Sequence, residues 1–252
     1  MIKKVAFFSL LLLFLNSTVI KANTLPKGFA FLKDIDPTII QTLRYKTNHN
    51  FMGQPVNGYS KQTECVLTEP TALALHQVQL ELQKQHLSLM VYDCYRPQRA
   101  VNNFISWSKI VSEQTMKAEF YPRVDKAKFF DLGYVAARSG HTRGSTMDLT
   151  IVPIPLPKIE TYHRGQTLVS CFAPYGKRFR DGSLDMGTGF DCMDETAHPD
   201  NKTISKTAFK NRMLLRDIMV KHGFTPYFSE WWHFTLANEP YPNTYFNFLA
   251  NR

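Results

Sequence analysis

The segment from Ser139 to Val152, SGHTRGSTMDLTIV, offers a nitrogen ligand at His141 and an oxygen ligand at Asp148, on either side of Gly144. A glycine permits a tight turn, and a turn there would carry the imidazole back beside the carboxylate so that both address one metal ion. The same spacing recurs at His86 and Asp93, so spacing alone decides nothing, and a surface hydrogen bond is the competing reading. Context separates the two pairs. His141 sits among Ser139, Gly140 and Gly144 just before a strand, whereas His86 closes an amphipathic helix and faces solvent.

A second candidate group is Glu230 and His233 in SEWWHF. In an ideal strand these two residues point to opposite faces, so both reach one site only if a bulge or the start of the strand falls between them. The alternative is an aromatic core strand with its charges at the rim. Arg96, in DCYRP, stands where a buried strand gives way to a helix. A guanidinium there, always charged, would offset an oxyanion; a structural ion pair with Asp93 is the other reading. Together these residues make up the parts of a zinc hydrolase: ligands that leave one position open, a free carboxylate as base, and a cation for the developing charge. No H-E-x-x-H, G-x-S-x-G or P-loop motif is present, which removes the sequence basis for the zincin, serine hydrolase and nucleotide-enzyme classes.

The elements that must position these groups are legible in outline. Pro70 opens a helix that carries Leu75, Val78 and Leu82 on one stripe to about His86. Leu87 to Tyr92 reads as a buried strand, and a second helix follows Pro97 with Val101, Phe104 and Ile105 facing one way. Met147, Leu149 and Ile151 alternate with Asp148 and Thr150, as in a half-buried strand that keeps Asp148 on its polar face. A third helix runs from about Thr207 to His222, with Gly223 as its cap. Residues 113–138 and 153–206 read as long connections, which in compact domains are often functional covers or disulfide-tied insertions. The expectation is an α+β fold: a single compact domain with a small central antiparallel sheet flanked by helices, and the zinc site at the sheet.

With 44% hydrophobic and 20% charged residues the chain of 252 is a core-building protein, not a disordered one. Lys3 and Lys4 followed by the apolar run Val5 to Leu15 read as a secretory signal ending at Ala22, leaving a mature domain of residues 23–252 that is periplasmic or secreted. No cysteine lies near that cut to take a lipid anchor, and no later stretch is long and apolar enough to span a membrane. The net charge of +9 is scattered and comes with no nucleic-acid motif, so nucleic acid is not an expected partner. Cys65, Cys94, Cys171 and Cys192 are an even set in an exported chain. Of the three connectivities, the most local pairs Cys65 with Cys94 and Cys171 with Cys192.

Five ordered motifs, YDCYRPQRAV, SGHTRGSTMDLTI, GTGFDCMDE, SEWWHF and EPYPNTYFNF, resemble the vancomycin-resistance type D-alanyl-D-alanine dipeptidases, in a zinc peptidase family that also holds D,D-carboxypeptidases. The resemblance runs from about Tyr45 to Phe248. It implies one zinc ion held by His141, Asp148 and His233, with Glu230 as general base and Arg96 as transition-state stabiliser. It further implies that Tyr45 and Asp191 hold the ammonium group of a small D,D-dipeptide, and Ser139 its carboxylate end. A D,D- or L,D-carboxypeptidase trimming muropeptides, and a catalytically silent wall-binding module, are the rival readings. The silent module has no use for Glu230 and Arg96.

Overall fold

The computed structural model describes residues 25–252; the expected signal segment, residues 1–22, lies outside the described residues. In chain order the strands are β1 (Phe29–Phe31), β2 (Ile40–Gln41), β3 (Val66–Thr68), β4 (Leu87–Asp93), β5 (Thr146–Pro153), β6 (Phe224–Tyr227) and β7 (Glu230–Leu236). The α-helices are α1 (Leu32–Ile35), α2 (Glu69–Gln83), α3 (Gln98–Ser108), α4 (Lys117–Phe120) and α5 (Lys206–Lys221). Helices and strands interleave in an α+β arrangement.

The main sheet has the order β2-β4-β5-β7-β6, and β1 pairs with β3 in a separate antiparallel ribbon. Pairings within the main sheet are antiparallel except that β2 runs parallel to β4. The sheet is therefore mixed, where the sequence reading expects an antiparallel one. A parallel pair requires a crossover, and the chain between Gln41 and Leu87, which contains α2, supplies it.

Helix α2 begins with Pro in its first turn, where the missing N–H costs nothing. It buries Ala72, Leu75, Val78 and Leu82. Its Gln79 accepts from the Leu89 N–H at 2.8 Å, which ties the helix to β4. Helix α5 is capped by Ser205, whose hydroxyl accepts from the Ala208 N–H, and buries Leu215, Ile218 and Met219. Lys221 and His222 at its end reach Glu81 of α2, so the two helices lie side by side.

Strand β5 is buried on both faces, not half-buried as its alternation predicts: Met147, Leu149 and Ile151 lie in the core, and Asp148 on the polar side lines the interior cavity of the site instead of facing bulk solvent. Disulfides join Cys65 to Cys94 and Cys171 to Cys192. No helix among the described residues is long and apolar enough to cross a membrane.

Candidate metal centre and substrate cavity

Sheet register sets one row of side chains across three strands. Asp148 of β5 lies opposite Asp93 of β4 on one side and His233 of β7 on the other. A register shift between Val91 and Asp93 re-aims the end of β4 at this row. Glu230 is the first residue of β7, and the pairing of β6 with β7 shifts between Pro226 and Tyr227. That irregularity lets Glu230 Oε2 come within 3.3 Å of His233 Nδ1 despite their spacing.

His141 arrives from a 3-10 helix, Gly140–Arg143, that ends at Gly144 with φ +83°. The glycine is obligatory: a Cβ there would meet the Phe29 ring at 2.2 Å in a backbone conformation that side-chain-bearing residues avoid. His141 Nδ1 donates to the Cys94 carbonyl at 2.8 Å, which fixes the tautomer and leaves Nε2 as a lone pair facing the site. Cys94 is itself held by its bridge to Cys65.

His141 Nε2 and His233 Nδ1 are 3.3 Å apart, and they lie 3.3 and 3.1 Å from Asp148 Oδ1. One donor atom from each of the three residues falls within a 4.8 Å cluster. Asp148 Oδ1 is buried and has no well-formed hydrogen bond, a costly state for an acceptor that a cation would relieve. The N,N,O donor set fits a metal ion. Burial pushes the Asp148 carboxyl up, but the two rings outweigh it and hold it well below the usual carboxylate range. Burial pushes the His233 imidazole down, and its contacts with Asp148 and Glu230 reverse that, raising it to about 9. A proton there and a metal compete for one place.

Arg96 Nε donates to Asp93 Oδ2 at 2.9 Å, and its guanidinium stacks over the Tyr45 and Phe104 rings. The ion pair with Asp93 therefore exists and at the same time aims the cation into the site, since Arg96 Nη2 is 3.5 Å from Asp148 Oδ2. Asp93 is fully buried and also accepts from Tyr59 at 2.7 Å. Across the site, the Tyr45 hydroxyl donates to Asp191 at 2.9 Å. Burial pushes the Asp191 carboxyl well up, and the negative charges of Asp148 and Glu230 add to it.

Tyr45, Arg96, Ser139, His141, Asp148, Asp191, Glu230 and His233 all line one cavity of about 190 Å³. Ser139 caps the short helix of His141 without a side-chain capping bond. The cavity wall also contains Gly133 to Ala136, Arg138, Tyr227 and Trp232, which the sequence reading leaves unassigned. Residues 133–138 carry no motif, and their signal is the length of the connection they lie in, whereas Trp232 lies inside SEWWHF. Asp93 enters that reading as a possible partner of Arg96 and in the discounted pair with His86, and Tyr59 not at all.

A family model described as D-ala-D-ala dipeptidase, of the peptidase M15 group, matches residues 26–154 and 175–251. The D-alanyl-D-alanine dipeptidase of Streptomyces coelicolor is 39% identical over 221 residues, covering 87% of this chain and 96% of that protein. The D-alanyl-D-alanine dipeptidase of Enterococcus faecalis is 35% identical over 224 residues, 89% of this chain and 98% of its own length. That of Escherichia coli K12 is 30% identical, covering 80% of this chain and 81% of that protein. Matches that span most of both partners, on a cavity with these groups along its wall, place the chain in the D-ala-D-ala dipeptidase family of peptidases.

Proposed function

We propose that the protein is a zinc dipeptidase that hydrolyses D-alanyl-D-alanine to two D-alanines in cell-wall metabolism, with zinc at the sheet on His141, Asp148 and His233. When bound, the zinc supplies a Lewis acid that acidifies water and polarises the scissile carbonyl. Glu230, beside His233 and open to the cavity, takes the proton of the attacking water and returns it to the leaving amine. Arg96, locked by Asp93, offsets charge on the tetrahedral oxygen. Ser139 receives the substrate's carboxylate end. Tyr45 orients Asp191 toward the ammonium.

The observation that carries the reading is Asp191: a buried carboxylate in the cavity whose hydrogen-bond partner is a neutral phenol, and which the nearby acids make costly to ionise. An entering ammonium is the complementary charge. The cavity, at about 190 Å³, is smaller than the roughly 300 Å³ at which drug-sized sites begin, and suits a dipeptide better than a longer chain. We place the reaction outside the cytoplasm, on the support of the apolar N-terminal run and two disulfides, which persist in oxidising compartments.

Blocking the substrate amine tests this. Breaking a buried charge pair costs roughly 3 to 5 kcal/mol, and the lower end applies because Asp191 can take up a proton instead. N-acetyl-D-Ala-D-Ala should therefore show a kcat/KM about a hundredfold below that of D-Ala-D-Ala. Comparable efficiencies on both, and on a pentapeptide ending in D-Ala-D-Ala, would make the protein a carboxypeptidase.

A further inference from the structure

Asp191 has φ +57°, a left-handed conformation uncommon for a residue with a β-carbon, although Asp adopts it more readily than most. Both neighbours are clamped. Phe190 stacks on Tyr92 at 4.4 Å and meets Trp232 edge-on at 5.5 Å. Cys192 is bonded to Cys171, with their Cα atoms 5.5 Å apart. Cys171 is pinned in turn: its N–H donates to the Glu119 carbonyl at 2.9 Å, and its carbonyl accepts from the Gly189 N–H at 2.8 Å. On the far side of Cys192, the Met193 N–H donates to the Phe120 carbonyl.

Cys171 lies in residues 155–174, which the family match leaves out, whereas Cys192 lies inside it and lines the cavity. The bridge thus ties a segment outside the family match to the residue beside Asp191. The metal-binding residues hang on β5, β7 and the Cys94 carbonyl, and not on this bridge.

We propose that the Cys171–Cys192 bridge is a positioning device that holds Asp191 against the cavity, so that the grip on a free amino terminus depends on the bridge being oxidised. This rests on the reading of Asp191 as the partner of the substrate ammonium. Reduction breaks the Sγ–Sγ bond: two equivalents of a thiol reductant give up two electrons and two protons, leave Cys171 and Cys192 as thiols, and join in a disulfide of their own. A reduced chain keeps its metal-binding residues in place and loses its hold on the dipeptide amine.

The test compares wild type, C171S/C192S, D191N and the triple variant for metal stoichiometry and for kcat and KM on D-Ala-D-Ala and N-acetyl-D-Ala-D-Ala. C171S/C192S should raise KM for D-Ala-D-Ala about tenfold or more, with metal content and efficiency on the acetylated substrate unchanged. In the D191N background the same two substitutions should add nothing, because the bridge acts through Asp191. Wild-type KM in metal-replete C171S/C192S, or additive effects in the triple variant, would overturn the proposal while leaving the Asp191 reading intact. Wild-type KM in D191N would remove that reading and the proposal with it. Where C171S/C192S does not fold, C171A/C192A, or native protein reduced until peptide mapping finds thiols at Cys171 and Cys192 but not at Cys65 and Cys94, is held to the same two outcomes.

Discussion

Glu230→Gln is expected to lower kcat on D-Ala-D-Ala by about 10² to 10⁴-fold, the range for loss of a general base, while metal content stays at the wild-type level. The amide preserves the size of the side chain and removes its ability to take a proton. Glu230 stands beside the three clustered donor groups without belonging to them: its carboxylate reaches His233, whereas the clustered atoms, which could hold a metal ion, come from His141, Asp148 and His233. Steady-state kinetics together with metal analysis of the same sample check this. Loss of metal from the Gln variant would make Glu230 a ligand, and retained turnover would move the base elsewhere.

Asp148→Ala should instead remove metal and activity together. Without the carboxylate, the His141 and His233 nitrogens face each other at 3.3 Å with nothing negative between them. Groups that merely orient a metal ligand are worth about 10 to 100-fold in affinity, so removal of a ligand should exceed the upper figure. The backbone has little reason to move, because Asp148 sits mid-sheet between Asp93 and His233. Titration of the apo variant with zinc, read against wild type, measures the loss, and full occupancy with normal turnover would strike Asp148 from the site.

What could be read from the sequence was what is local. Helix α5 and strand β4 declare themselves through periodicity and runs of apolar residues, and Gly144 marks the turn that returns His141 to Asp148. The spacing of Glu230 and His233 demands an irregularity between strands, and the start of β7 provides one. Pairings distant in sequence left no comparable trace. Strand β2 has two residues, too few for a pattern, so its parallel pairing was illegible. Tyr45 and Asp191, separated by 146 positions, entered only through a family resemblance. Tyr59, which secures Asp93 and through it Arg96, sits in a turn with no motif. The burial of β5 on both faces was hidden because Asp148 and Thr150 mimic a solvent-facing row, when their side of the strand faces the site and the core.

The most direct measurement is release of free alanine from D-Ala-D-Ala and from L-Ala-L-Ala by the purified protein, before chelation, after it, and after zinc is restored. Release is expected from the D,D isomer alone, abolished by the chelator and recovered with zinc. No release by the zinc-replete protein, equal release from both isomers, or release that survives removal of the metal would contradict that expectation.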